Sequence, residues 1–144
     1  MKSIVVFGGS SNLGQNITKK LAENGHSVTN VDTVKSEVEG VTRYPYDGTP
    51  QQTKGILGVL SPDIIVNCNV VDDTDPSDVI QYLTRLLAVM EHCSNQDISK
   101  VVLAEQSSSL NKTINNIDSV VSGTQIIITD TNNLSNVIKD EMPV

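Results

Sequence analysis

Apolar residues in this chain fall into short unbroken runs that alternate with longer stretches spaced for helix. The run "SIVVF" over 3–7 has no polar face, as expected of a strand covered on both sides in a parallel sheet. Leu13, Ile17 and Leu21 then recur at helical spacing, and "ENGHS" ends that helix with Gly25 just beyond its last turn. Strands follow at 27–32 ("SVTNVD") and 41–46 ("VTRYPY"), a helix within 49–60 opened by Pro50, and a strand within 61–68 ("SPDIIVNC"). The strongest helix covers 76–93, where Val79, Leu83, Leu86, Leu87 and Met90 make a wide apolar face. A strand at 100–105, a more polar helix over 109–123, a strand at 124–129 and a short closing helix at 133–141 complete the series.

This alternation predicts an α/β fold: one doubly wound parallel sheet of about six strands with helices on both faces. Right-handed crossovers place the first and fourth strands side by side, and the crevice above that switch point is where a ligand would lie. No repeat, linker or low-complexity tract divides the chain, so residues 1–144 read as a single domain. At 144 residues such a domain buries about 70% of the surface of its unfolded chain, enough to fold without disulfides or metal.

The candidate chemistry sits in the turn "GGSSNLG" between the first strand and the first helix. A Rossmann-type turn needs one glycine for the bend, a second for close approach of the backbone to a pyrophosphate, and a third where helix meets strand. Gly8 and Gly14 take the first and third places, while Ser11 stands in the middle one. Ser11 is small and can donate a hydrogen bond to phosphate; Asn12 tolerates positive φ. Roughly 20 residues on, Asp32 ends the second strand, where a carboxylate accepts from an adenosine ribose and repels a 2′-phosphate. That favours NAD over NADP, although Lys35 lies close by. The alternative reading is a plain strand-to-helix turn with Ser10, Ser11 or Asn12 capping the helix.

Charge and composition narrow the partners. A net charge of -7, one Phe and no Trp argue against binding nucleic acid, which demands cationic and stacking side chains. No apolar run is long enough to span a bilayer and no secretion signal opens the chain, so an intracellular, cytoplasmic location is expected. Cys68 and Cys93 have no motif spacing and read as reduced core thiols. Asp72, Asp73, Asp75 and Asp78 precede a helix and read as its cap, not as a metal loop. His26 and His92 read as solvated or capping. No metal site is expected.

At these motif positions the sequence resembles the short-chain dehydrogenase/reductase superfamily over nearly its full length. "IVVFGGSSNLGQ" resembles the opening of dihydropteridine reductases, as does "SSSLNKT" after the fifth strand; "SPDIIVNCNVVDD" is similar to the fourth-strand segment of nucleotide-sugar reductases and epimerases. The resemblance implies a nicotinamide dinucleotide, NAD(H), with Gly8, Ser11, Leu13 and Gly14 at its pyrophosphate and Asp32 at its ribose, and Gly9 and Asn12 of the same turn count among the cofactor-binding residues. It implies Asp47 and Gly48 at the adenine, and Asn67, Cys68 and Asn69 on the nicotinamide side. Dimerisation through the helices after the fourth and fifth strands is a further implication, giving a homodimer or larger complex through Val79 to Met90.

Departures from the family pattern shape the functional expectation. Two small residues usually follow the fourth strand, whereas Asn69 and Val70 are bulkier and crowd that half of the cofactor. The family's hydride transfer uses a tyrosine acid, a lysine four residues later and a preceding serine. Tyr44, Tyr46 and Tyr82 all precede the fifth strand, and the residue four before Lys112 is Ser108, so no catalytic set is assigned. Ser107, Ser108 and Ser109 read either as the family's substrate-polarising hydroxyl or as a helix cap. The sugar-nucleotide relatives continue well beyond this length to build a substrate domain, so no substrate pocket is assigned either. The expectation is a non-catalytic NAD(H)-binding, regulatory or assembly subunit. The alternatives are an oxidoreductase of pteridine or nucleotide-sugar type completed by a partner chain, or a purely structural subunit.

Overall fold

A computed structural model describes residues 2–34, 37–96, 98, 100–104, 106–118 and 125–129. Their order is β1 (Ser3–Phe7), α1 (Asn12–Glu23), β2 (Ser27–Asp32), β3 (Val41–Pro45), α2 (Pro50–Leu60), β4 (Ile64–Asn67), α3 (Pro76–Asn95), β5 (Lys100–Ala104), α4 (Ser108–Asp118) and β6 (Gln125–Thr129). The six strands form one sheet in the order β3-β2-β1-β4-β5-β6. All five pairings are parallel. The α/β sheet read from the sequence is the one observed, with strand positions within a few residues of expectation. The closing helix expected at 133–141, the end of the helix expected over 109–123, and Lys35 lie outside the described residues.

Period-two alternation divides the strand residues between two cores. Val5, Phe7, Val31, Ile65, Val101 and Leu103 face one side, with Ile56 and Leu57 of α2, Leu86 and Met90 of α3, and Leu110 and Ile114 of α4. Ile4, Val6, Val28, Ile64, Val66 and Val102 face the other, with Ile17 and Leu21 of α1. Helices therefore cover both faces. Of the apolar face expected on α3, Leu86 and Met90 are buried but Leu87 is 52% exposed. The inward row of α3 runs instead through Tyr82, Val89 and Cys93.

The helix ends follow local chemistry. At the close of α1, the Gly25 amide donates to Ala22 and the His26 amide to Leu21, the paired bonds of a Schellman ending, with Gly25 at φ +87°. His26 thus completes a cap through its backbone. Its ring is buried and its Nδ1 accepts from the Lys2 amide at 3.1 Å, while His92 is also buried, so neither histidine is solvated as expected. Thr49 caps α2 by accepting from the Gln52 amide, and Asp75 caps α3 by accepting from the Ser77 amide at 3.0 Å.

Register brings the strand ends level. Phe7 stands opposite Val31 and Asn67, Val31 opposite Tyr44, and Asn67 opposite Leu103. Gly8, Asp32, Cys68 and Ala104 each follow a member of that row, so the residues that carry the candidate chemistry emerge together along the carboxyl edge of the sheet.

Candidate functional site

The turn after β1 is built around close backbone approaches that only glycine permits. Gly8 adopts φ +76°, a left-handed conformation. A Cβ on Gly14 would overlap the Gly8 carbonyl oxygen and lie 2.5 Å from the Gly9 Cα, so the first turn of α1 rests directly on the loop. A Cβ on Gly9 would run into the side chain of Asn30 beneath it. The glycines are thus steric requirements of the turn, and Asn12, helical in α1, takes no part in its positive φ.

Ser11 caps α1. Its Oγ accepts from the Gly14 amide at 3.0 Å and donates to the Gly8 carbonyl at 3.0 Å, so the proton expected for phosphate is used within the turn. With the Ser11 amide directed to Gly8 and the Gly14 amide to Ser11, the amides of Asn12 and Leu13 are the donors of this helix start that take no bond among the described residues. Two amides at the positive end of a helix are suited to a phosphate oxygen.

On the β2 side, Asp32 fastens the loop. One carboxylate oxygen accepts from the Ser10 amide at 3.1 Å and the other from the Val34 amide at 3.3 Å. Ser10 Oγ donates to the Val34 carbonyl at 2.8 Å and accepts from Asn30 Nδ2 at 3.1 Å. Each carboxylate oxygen of Asp32 retains a second lone pair, and the side chain is partly exposed, so it can still accept from a ribose hydroxyl.

Beyond it, at the end of β3, Asp47 Oδ1 accepts from the Thr49 amide at 2.9 Å and the Thr49 hydroxyl at 2.8 Å, bonds that hold its carboxyl below the usual range. Gly48, at φ +83°, lies under Arg85 of α3, whose Nε donates to the Gly48 carbonyl at 2.6 Å. The same guanidinium carbon stands 5.9 Å from the Tyr46 ring centroid. Tyr46 in turn meets Phe7 edge to face and shares a 2.6 Å hydroxyl bond with Thr53.

The β4 and β5 side is closed more tightly. Asn67 Oδ1 accepts from the Asn69 amide at 2.9 Å. Cys68 turns its side chain into the core on the α1 face, where burial and the Asp32 charge push its thiol up to about 12, so it offers the cleft backbone only. Gln106 is buried and joins the strand ends: Oε1 accepts from the Val71 amide at 2.9 Å, and Nε2 donates to the carbonyls of Asn69 and Ala104. Tyr82 is buried beside it with no hydrogen bond of normal geometry to its hydroxyl, and burial pushes its phenol up to about 12. Ser107 Oγ accepts from the Leu110 amide at 3.4 Å, the geometry of a cap on α4.

The acidic run before α3 folds back on itself. Asp72 Oδ1 accepts from the amide and hydroxyl of Thr74, and Asp75 caps the helix. Among the described residues no group of three or more His, Cys, Asp or Glu could hold a metal ion, and no helix is long and apolar enough to cross a membrane.

Asn30, Arg85, Gln106 and Asn111 were missed in the sequence. Asn30 had a signal, a polar residue in the inward row of β2 between Val28 and Asp32. The others had none, because each acts on a backbone group at least five positions away, as far as the 37 separating Arg85 from Gly48.

Comparison with known proteins gives fold without close kinship. No protein-family profile matches the chain, and no curated protein is significantly similar in sequence. Solved structures match well. A GalE-like L-threonine dehydrogenase from Cupriavidus necator in its holo form superposes with a TM-score of 0.74 at 12% identity, over 89% of this chain and 53% of that one. The UDP-glucose 4-epimerase of Thermotoga maritima with UDP-glucose gives 0.72 at 15% identity, over 88% and 54%. The Bordetella bronchiseptica enzyme WbmG in complex with NAD and UDP gives 0.61 at 16% identity, over 72% and 37%. The chain spans about half the length of these proteins, or less. Its sheet order, its glycine turn and these superpositions agree on one conclusion: the chain has the Rossmann-like fold that these dehydrogenase and epimerase structures share.

Proposed function

We propose that this chain is a non-catalytic, dehydrogenase-like module that binds an adenine nucleotide at the Gly8–Gly14 turn and serves a regulatory or assembly role. What supports the reading is the loop itself: the amides of Asn12 and Leu13 take no bond among the described residues, and Asp32, fixed by the Ser10 and Val34 amides, keeps a lone pair on each carboxylate oxygen. NAD(H) is the dinucleotide that the sequence resemblance nominates, and the adenosine diphosphate part of it is what these groups address. A second copy of the chain is the proposed partner, through α3.

The absence of hydride chemistry rests on the tyrosines. Burial raises the pKa of Tyr46 and Tyr82, the reverse of what a phenol acid working at neutral pH needs, and Tyr44, Tyr46 and Tyr82 all lie ahead of β5. Calorimetric titration with NADH at millimolar concentration is expected to show binding to the wild type that Asp32→Ala weakens. No NADH oxidation is expected with quinonoid dihydropterin or a 4-keto nucleotide sugar. Absence of wild-type binding would leave only the structural role. Turnover abolished by Lys112→Ala would restore the enzyme reading.

A further inference from the structure

A dinucleotide stretched across this fold passes from the β2 side, over the start of α1, to the β4 side, crossing the sheet where β1 and β4 adjoin. At that crossing the two halves of the cleft differ. Asp32 and the amides of Asn12 and Leu13 present groups for a ribose and a diphosphate. On the far side the Asn69 side chain stands over Gly8, so close that an added Cβ there would lie 2.8 Å from the Asn69 Cγ and nearer still to its Oδ1.

The segment bearing Asn69 is held on three sides. Its amide donates to Asn67, its carbonyl accepts from Gln106 at 2.8 Å, and the amide of Val71 donates to the same glutamine. Gln106 is fixed in turn, its amide donating to Asn111 Oδ1 at 2.9 Å and its carbonyl accepting from Asn111 Nδ2 at 3.0 Å. Val70, 60% exposed, adds bulk at the rim. A nucleoside on this side meets the Asn69 side chain, carried on a segment tied to both strand ends, whereas a ligand that ends at its diphosphate does not extend past it. Rearranging such a segment subtracts from affinity.

We propose that the cleft is specific for an adenine nucleotide that ends at its diphosphate, ADP, over an intact nicotinamide dinucleotide, with Asn69 as the residue that sets the limit. This rests on the reading of the glycine turn as a nucleotide site. The test is calorimetric titration of the wild type, Asn69→Ala and Asp32→Ala with ADP and with NAD. Asn69 bonds through its backbone in every hydrogen bond above, so its truncation leaves the segment in place.

The expected result is ADP binding to the wild type at least about tenfold more tightly than NAD, a gap that Asn69→Ala narrows by improving NAD alone. Asp32→Ala weakens both ligands. Equal or tighter binding of NAD by the wild type, or an ADP preference unchanged in Asn69→Ala, overturns the inference while leaving the nucleotide site standing. Binding of neither ligand overturns the site and the inference together.

Discussion

Asn111 holds the backbone of Gln106 from both directions, accepting from its amide at 2.9 Å and donating to its carbonyl at 3.0 Å. Through this one side chain the first turn of α4 fixes the end of β5, and through Gln106 the end of β4. Asn111→Ala leaves two backbone groups without their partner and is expected to cost about 1–3 kcal/mol in urea unfolding. A merely local loss would stop there. Here the amide of Val71, bonded to Gln106, is also expected to lose hydrogen-exchange protection. Unchanged Val71 exchange would show that the coupling does not extend to the β4 segment.

Two glycines invite opposite outcomes. Gly14→Ala drives a Cβ into the backbone of Gly8 and Gly9, which have no flexible side chain to move aside, and is expected to cost more than about 3 kcal/mol. Gly55 lies within α2 with open space where its Cβ would be. Gly55→Ala is therefore expected to stabilise by about 0.5–1 kcal/mol through helix propensity. Denaturant midpoints moving in the same direction for both variants would contradict the packing described.

Acid should weaken the fold in two stages. The pKa of His26 lies below its usual 6.5, chiefly because of burial and then because of the positive amino terminus and Lys2; that of His92 is lowered by burial. Both rings are neutral in the fold above 6.5, where the unfolded chain is neutral too and nothing is lost. As pH falls below 6.5 the unfolded chain takes up protons first, so stability declines until the folded values are passed. Asp47 and Asp72, held below 3.8 by Thr49 and Thr74, add a further loss at lower pH. Urea midpoints against pH are expected to be flat above about 6.5 and to fall below it. In a His26→Asn, His92→Leu variant the first decline should disappear; its persistence would locate the protons elsewhere.

How much of this could be read in the sequence depended on the range of the interaction. Strand runs such as "SIVVF", and Gly25 after α1, act within a few residues, and their positions were legible. Asp75 as a cap was legible for the same reason. Ser11 was legible as a small residue in the turn, but the use of its proton depended on where the Gly8 carbonyl points. His26 caps α1 as one of its two readings has it, but its burial is not legible locally, because the Lys2 amide that meets its ring lies 24 positions away. The crowding expected at Asn69 follows from side-chain size; the clamp by Gln106 depends on a pairing across 37 positions.

Self-association through α3 is the remaining expectation. Ile80 and Leu87 lie two helical turns apart on its outer face and are 64% and 52% exposed. Covering what remains exposed of either is worth about 1–2 kcal/mol, so an isologous contact that buries the pair from each protomer supplies several such contributions. A net charge of -7 on each chain opposes that contact at long range, and salt screens the repulsion. Light scattering is therefore expected to give twice the chain mass at high protein concentration, with the dimer favoured further by added salt. Ile80→Glu with Leu87→Glu places charge on both positions without touching the core and should give a folded monomer at every salt concentration. A wild-type chain that stays monomeric under the same conditions would remove α3 as an interface with a second copy.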